Sequence, residues 1–212
     1  MKKIIAAAAA AILITGLTAC TGSEALTASV QKNADGKGAS CCGMNITLPK
    51  DWEVLTGDSI YEKLFENSSE GYSTAEELKA SYTDSGMCYL LYAVSPEQTA
   101  LMTVTALKID TGEQMTLDEY ARVYHDNSLF SLQASGLGIK NAVFSEKTVG
   151  GGNGWLSAYE VYPDNESEEM LMGQSEFFFE YSGNFCSLQT YYYTAEAGEV
   201  TNGIVAGITG AE

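Results

Sequence analysis

Histidine is nearly missing from this sequence: His125 is the only one among 212 residues. Any histidine-dependent triad must be built around that one ring. No pair of Cys-x-x-Cys motifs supplies a zinc-ligand spacing in its place. Basic residues are scarce as well, 11 Lys+Arg against 28 Asp+Glu, for a formal net charge of −17. Such a surface repels phosphate backbones, which excludes nucleic acid as an expected partner. Beyond the first twenty positions no run is apolar enough to span a bilayer, for which roughly 20 residues are needed. A Gly-x-Ser-x-Gly elbow, a complete nucleotide fingerprint and an EF-hand order of ligands are also lacking. The expectation is a domain with no catalytic residues, no cofactor and no bound metal.

What is present is clearest at the N-terminus. Lys2 and Lys3 precede an apolar stretch at residues 4–17, interrupted only by Thr15 and Gly16. It is too short to cross a bilayer but suits the hydrophobic region of a signal peptide. The stretch ends in Leu17-Thr18-Ala19-Cys20, which resembles the bacterial lipobox. That resemblance implies diacylglyceryl transfer to the Cys20 thiol and cleavage between Ala19 and Cys20, so that residues 1–19 are a lipoprotein signal peptide. Two fatty chains, at about 0.8 kcal/mol per buried methylene, anchor stably where one is marginal. The implied location is extracytoplasmic, with a membrane as partner through the lipid. Loss of Lys2 and Lys3 with the leader takes the formal charge from −17 to −19.

Residues 20–43 read as the lipidated cysteine and a flexible tether, rich in Ser, Thr, Ala, Gly and Asn and without apolar periodicity. The folded domain is expected at 44–212. Met44, Ile46 and Leu48 alternate with polar residues as in a strand with one buried face. After the Pro49-Lys50-Asp51 turn, Trp52 and Val54 share a face. Helices are expected at about 59–66 and 74–82, the second opened by a Thr74/Glu77 capping box. The runs 87–94 and 101–109 form a hairpin about a Ser95-Pro96 turn. Thr116 and Glu119 form a second capping box, opening a helix that runs to about Gln133 and stops at Gly136. Four strands follow, at about 142–149, 155–162, 170–181 and 185–195, with Asn153-Gly154 as the hairpin cue of the first turn. Val200, Ile204 and Ile208 place one apolar stripe on a last helix. Hairpin-linked strands covered by helices make the fold class α+β, an antiparallel β-sheet flanked by helices.

The segment Asn45-Ile46-Thr47-Leu48-Pro49-Lys50-Asp51-Trp52-Glu53-Val54 is similar to the opening strand of the PsbP-like family. The central hairpin, the Thr116-Leu117-Asp118-Glu119-Tyr120 helix start, the glycine turn and the final helix extend the resemblance over residues 44–210. It implies a PsbP-like α/β/α sandwich and binding or assembly roles. It brings no catalytic or ligand residues to carry over.

The candidates for chemistry are few. His125 lies on the helix opened by Thr116, with Asp118, Asp126 and Ser128 near it in sequence; an exposed or boundary histidine is the expectation. Asp164, Glu166, Glu168 and Glu169 cluster in one turn and read as a solvated hairpin tip. Phe177 and Phe179 share a strand face with Phe178 on the other, as in a sheet covered on both sides. Cys41, Cys42, Cys88 and Cys186 allow three complete disulfide pairings in an exported protein, of which an adjacent Cys41–Cys42 bridge is the least attractive. The expected function is a membrane-anchored lipoprotein with a non-catalytic domain that binds another envelope protein or a small molecule. The alternatives are an envelope hydrolase using carboxylates or His125, and a divalent-cation binder at the acidic turn.

Overall fold

The computed structural model describes residue 26 and residues 28–33, 36–68, 71–107 and 115–211. Leu17, Thr18, Ala19 and Cys20 lie outside the described residues. Eleven strands and four helices are described. In chain order they are β1 Ala28–Asn33, β2 Gly36–Cys41, β3 Met44–Leu48, β4 Glu53–Leu55, α1 Asp58–Asn67, α2 Ala75–Asp84, β5 Met87–Val94, β6 Ala100–Leu107, α3 Leu117–Ala134, β7 Gly138–Val149, β8 Gly152–Tyr162, β9 Met172–Tyr181, β10 Asn184–Tyr192, α4 Ala195–Ala206 and β11 Thr209–Gly210. The class is α+β.

Two antiparallel sheets carry the fold. The larger has the order β4-β5-β6-β10-β9-β8-β7, and the smaller β1-β2-β3-β11. Strands β7 to β10 are the expected meander, and β10 pairs with β6 to join the meander to the central hairpin. The main core lies between the two sheets. Ile46 and Leu48 of β3 meet Met102 and Val104 of β6, Phe177 and Phe179 of β9 and Leu188 of β10, with Ile204 of α4 and Ile208 closing the end. The layer on this side is therefore largely a second sheet, helped by α4, where a helical layer was expected.

Residues 28–33 and 36–41 are strands, which corrects the expectation of a flexible tether through this region. β2 pairs with β3 from Lys37↔Leu48 to Cys41↔Met44 and buries Ala39 and Cys41 in the core. Lys37 donates from Nζ to the Trp52 carbonyl, tying β2 to the turn ahead of β4. β1 adds an outer strand whose Ser29, Val30 and Gln31 are exposed. Its stability comes from backbone pairing, so no apolar period marks it in the sequence.

The other face of the larger sheet is covered by α1 and α2 over β5 and by α3 over β7 to β9. Phe178 points to this side, 5.8 Å from Tyr120 and 5.1 Å from Tyr124 on α3. The β7–β8 turn is Gly150-Gly151, both with positive φ, between the paired Val149 and Gly152. That is the geometry of a two-residue primed turn. The expected cue, Asn153-Gly154, lies inside β8 instead. Gly154 is needed there for space, because a Cβ would run into the Phe178 carbonyl and the Phe177 ring.

Candidate functional site

Helix α3 begins where the sequence says it should. Thr116 Oγ1 accepts from the Glu119 amide at 3.3 Å, and Glu119 Oε2 accepts from the Thr116 amide at 2.8 Å. Two amides of the first turn are thereby satisfied, and the helix axis is fixed over the β7–β9 end of the sheet. Its buried positions are Ala121, His125 and Ser128, beside Tyr120 and Tyr124, which pack on Phe178. His125 is buried, which corrects the expectation of an exposed or boundary side chain. His125 shares the sheet-facing side of α3 with those tyrosines, and a polar residue on such a face carries no signal in an apolar period.

The His125 ring is held on two sides. Its Nδ1 is 2.8 Å from Ser157 Oγ on β8, and its ring centroid is 5.3 Å from that of Phe144 on β7. Burial pushes its pKa below the ordinary imidazole value; Asp126 opposes this and Arg122 reinforces it. The neutral ring therefore predominates near neutral pH. Ser157 is 1 % exposed, so its hydroxyl is out of reach of a substrate carbonyl. Asp118, the other candidate partner in sequence, is engaged by Arg122, with Nη2–Oδ1 at 3.1 Å.

Beneath α3 the sheet carries a polar row that sequence reasoning missed. Thr103, Gln189, Glu176 and Ser157 face one another across β6, β10, β9 and β8. Glu176 is 5 % exposed, and burial pushes its pKa up to about 7. Hydrogen bonds with Tyr124, Ser187, Gln189 and Gln174 oppose that shift; Gln189 Nε2 donates to Glu176 Oε2 at 3.0 Å. On either side of the row Thr105 and Ser187 share a hydrogen bond at 2.9 Å, and Tyr159 donates to Gln174 at 2.8 Å. Two uncovered polar strands would look similar in sequence. Only the register shows that these side chains share one covered face.

At the edge of this layer the structure opens. A surface groove of about 570 Å³ is lined by Leu117, Glu146, Lys147, Thr148, Asn153, Gly154 and Trp155. The half-buried Trp155 stacks on Phe144, with centroids 5.1 Å apart and planes 10° from parallel. The Arg122 guanidinium sits 4.8 Å from the Phe144 centroid and 5.8 Å from that of Trp155. Residues from α3, β7 and β8 thus bring an indole, a cation, a carboxylate and an amide to one surface. Such a set can stack on a flat group and hydrogen-bond a polar one.

The acidic turn is organised around its own backbone. Asp164 Oδ1 accepts from the Glu166 amide at 2.9 Å, the Ser167 amide at 2.7 Å and Ser167 Oγ at 2.9 Å. These bonds hold its pKa below the ordinary aspartate value. Glu166, Glu168 and Glu169 are exposed. Among the described residues no three His, Cys, Asp or Glu side chains stand together as a metal site.

Neither a protein-family model nor a curated protein sequence matches the chain. Among solved structures, the fold is similar to cyanobacterial PsbP (CyanoP) from Synechocystis sp. PCC 6803, with a TM-score of 0.47 and 11 % identity, covering 92 % of this chain and 99 % of that one. It is also similar to LpqN, involved in cell envelope biogenesis of Mycobacterium tuberculosis, with a TM-score of 0.43 and 12 % identity, covering 88 % of this chain and 91 % of that one.

Proposed function

We propose that this protein is an extracytoplasmic lipoprotein, anchored through lipid on Cys20, whose domain binds an envelope protein or small molecule at the groove beside Trp155. Anchoring rests on the lipobox residues Leu17, Thr18, Ala19 and Cys20 and the apolar stretch before them. Binding rests on one observation: the groove gathers Trp155, Lys147, Glu146 and Asn153 at the surface. A binding role without catalysis is supported by the packing of His125, which is spent on a buried Ser157 and an aromatic ring.

The His125–Ser157 contact is also the observation that favours a second reading, an envelope hydrolase. It is the weaker one, because the serine that would attack lies under α3.

The test is site-directed photocrosslinking on intact cells. A photoreactive residue replaces Thr148 at the exposed groove rim, or Asn202 on the exposed side of α4 as a control. The expected result is a discrete, saturable adduct from position 148 only, weakened by Asn153→Ala or Lys147→Glu. Equal labelling from both positions, or no saturable adduct at 148, contradicts the reading.

A further inference from the structure

Three thiols from two distant parts of the chain meet where the two sheets face each other. Cys42 Sγ is 3.7 Å from Cys41 Sγ and 3.8 Å from Cys186 Sγ. Cys41 ends β2, Cys42 is the first residue of the β2–β3 turn, and Cys186 lies on β10. Cys42 and Cys186 are 144 residues apart in sequence, and each is buried, 7 % and 1 % exposed. The β2–β3 hairpin belongs to the smaller sheet and β10 to the centre of the larger one. A bond between these two sulfurs would join the sheets across the core.

The position of Cys42 is itself informative. Cys42 and Gly43 both have positive φ, 49° and 73°, between the paired Cys41 and Met44. A primed turn of this kind selects Gly, Asn or Asp at both places, and another side chain in the left-handed region costs roughly 1 kcal/mol. Turn chemistry therefore gives no reason for cysteine here. The contact made by its sulfur does.

We propose that Cys42 and Cys186 are a disulfide pair, formed when the chain meets a disulfide donor outside the cytoplasm. The cellular setting rests on the export reading above; the choice of partners does not. The competing pairs are worse. A Cys41–Cys42 bond closes an eight-membered ring around a peptide that resists leaving planarity. Cys88 lies in the same cross-strand row as Cys186, but Ala106 of β6 stands between them. Two strand spacings make that separation about 10 Å, beyond what a disulfide spans. Cys42 is also the more exposed of the pair, 7 % against 1 %. Hydrogen bonds from Cys186 and then Cys41 favour its thiolate, whereas the bond to Cys42, then burial, raises the Cys186 thiol.

The exchange is balanced by the donor. The Cys42 thiolate attacks one sulfur of the donor disulfide and releases a thiolate, leaving a mixed disulfide. The Cys186 thiolate then attacks the Cys42 sulfur and releases the second. Two protein thiols are oxidised, one donor disulfide is reduced to two thiols, and the two protons pass to the released thiolates or solvent.

The test uses the purified full chain equilibrated with oxidised glutathione, alkylated and digested with trypsin. Lysine positions place Cys41 and Cys42 in peptide 38–50, Cys88 in 80–108 and Cys186 in 148–212. The expected product is 38–50 linked to 148–212, retained in Cys41→Ser and lost in Cys42→Ser. Its unfolding midpoint should exceed that of the reduced protein by roughly 10 °C, a difference absent from Cys42→Ser. Absence of that link in the wild type, its persistence in Cys42→Ser, or a link to 80–108 in its place overturns the proposal. Subcellular fractionation reports on export separately, so failure of one is not mistaken for failure of the other.

Discussion

Glu176 is where the residue scale is most demanding. An acid at 5 % exposure with its pKa raised to about 7 is held neutral in the native state at acidic pH, whereas the unfolded chain ionises it near 4.5. Between those values the native state keeps a proton that the unfolded state has released. The resulting stability is full below about pH 4.5 and is lost as pH rises through about 7, a total of about 3 kcal/mol. The variant Glu176→Gln keeps a side-chain carbonyl to accept from Gln189 Nε2 and removes the titration. Urea unfolding of both proteins from about pH 5 to about pH 8 should show the wild type losing stability relative to the variant. Parallel profiles would mean that Glu176 is not buried as described. Neither this residue nor the burial of His125 was legible in the sequence. Each is a polar residue on a covered face, among Tyr120 and Tyr124 on α3 and Phe178 on β9, and apolar periodicity carries no information about such a residue.

At the scale of elements, local rules served where they act locally. The Thr116/Glu119 capping box opens α3 as read, and Gly136, at φ 80°, closes it with its amide 2.9 Å from the Gln133 carbonyl. The alternation in β3 and the three-phenylalanine run in β9 placed their faces correctly. The failures came where tertiary pairing overrides composition. β1 and β2 hold Ser, Gly, Lys and Gln, yet β2 supplies the backbone partners of β3 and buries Ala39 and Cys41. A soluble chain beginning at residue 44 should therefore be less stable than one beginning at residue 20. Loss of that burial and pairing is worth about 3 kcal/mol. Chemical denaturation of the two chains measures it. Equal stability would restore the tether reading for residues 28–41.

For the molecule as a whole, the larger sheet is enclosed on both sides. The smaller sheet and α4 cover one face, and α1, α2 and α3 the other. The α+β class followed from hairpin-linked strands and the helices expected between them. The second sheet did not, because β1 and β2 are too polar to register. The groove at Trp155, where binding is proposed, takes its residues from α3, β7 and β8, which share no motif in sequence. The proposed binding of an envelope component and the proposed oxidation of Cys42 both presuppose export, which the lipobox reading ties to a lipid anchor on Cys20. The most direct measurement is mass spectrometry of the N-terminal peptide from the membrane-extracted protein. The expected result is a chain starting at Cys20 with a diacylglyceryl thioether on its sulfur. An unmodified Cys20, or a first residue elsewhere, would contradict it.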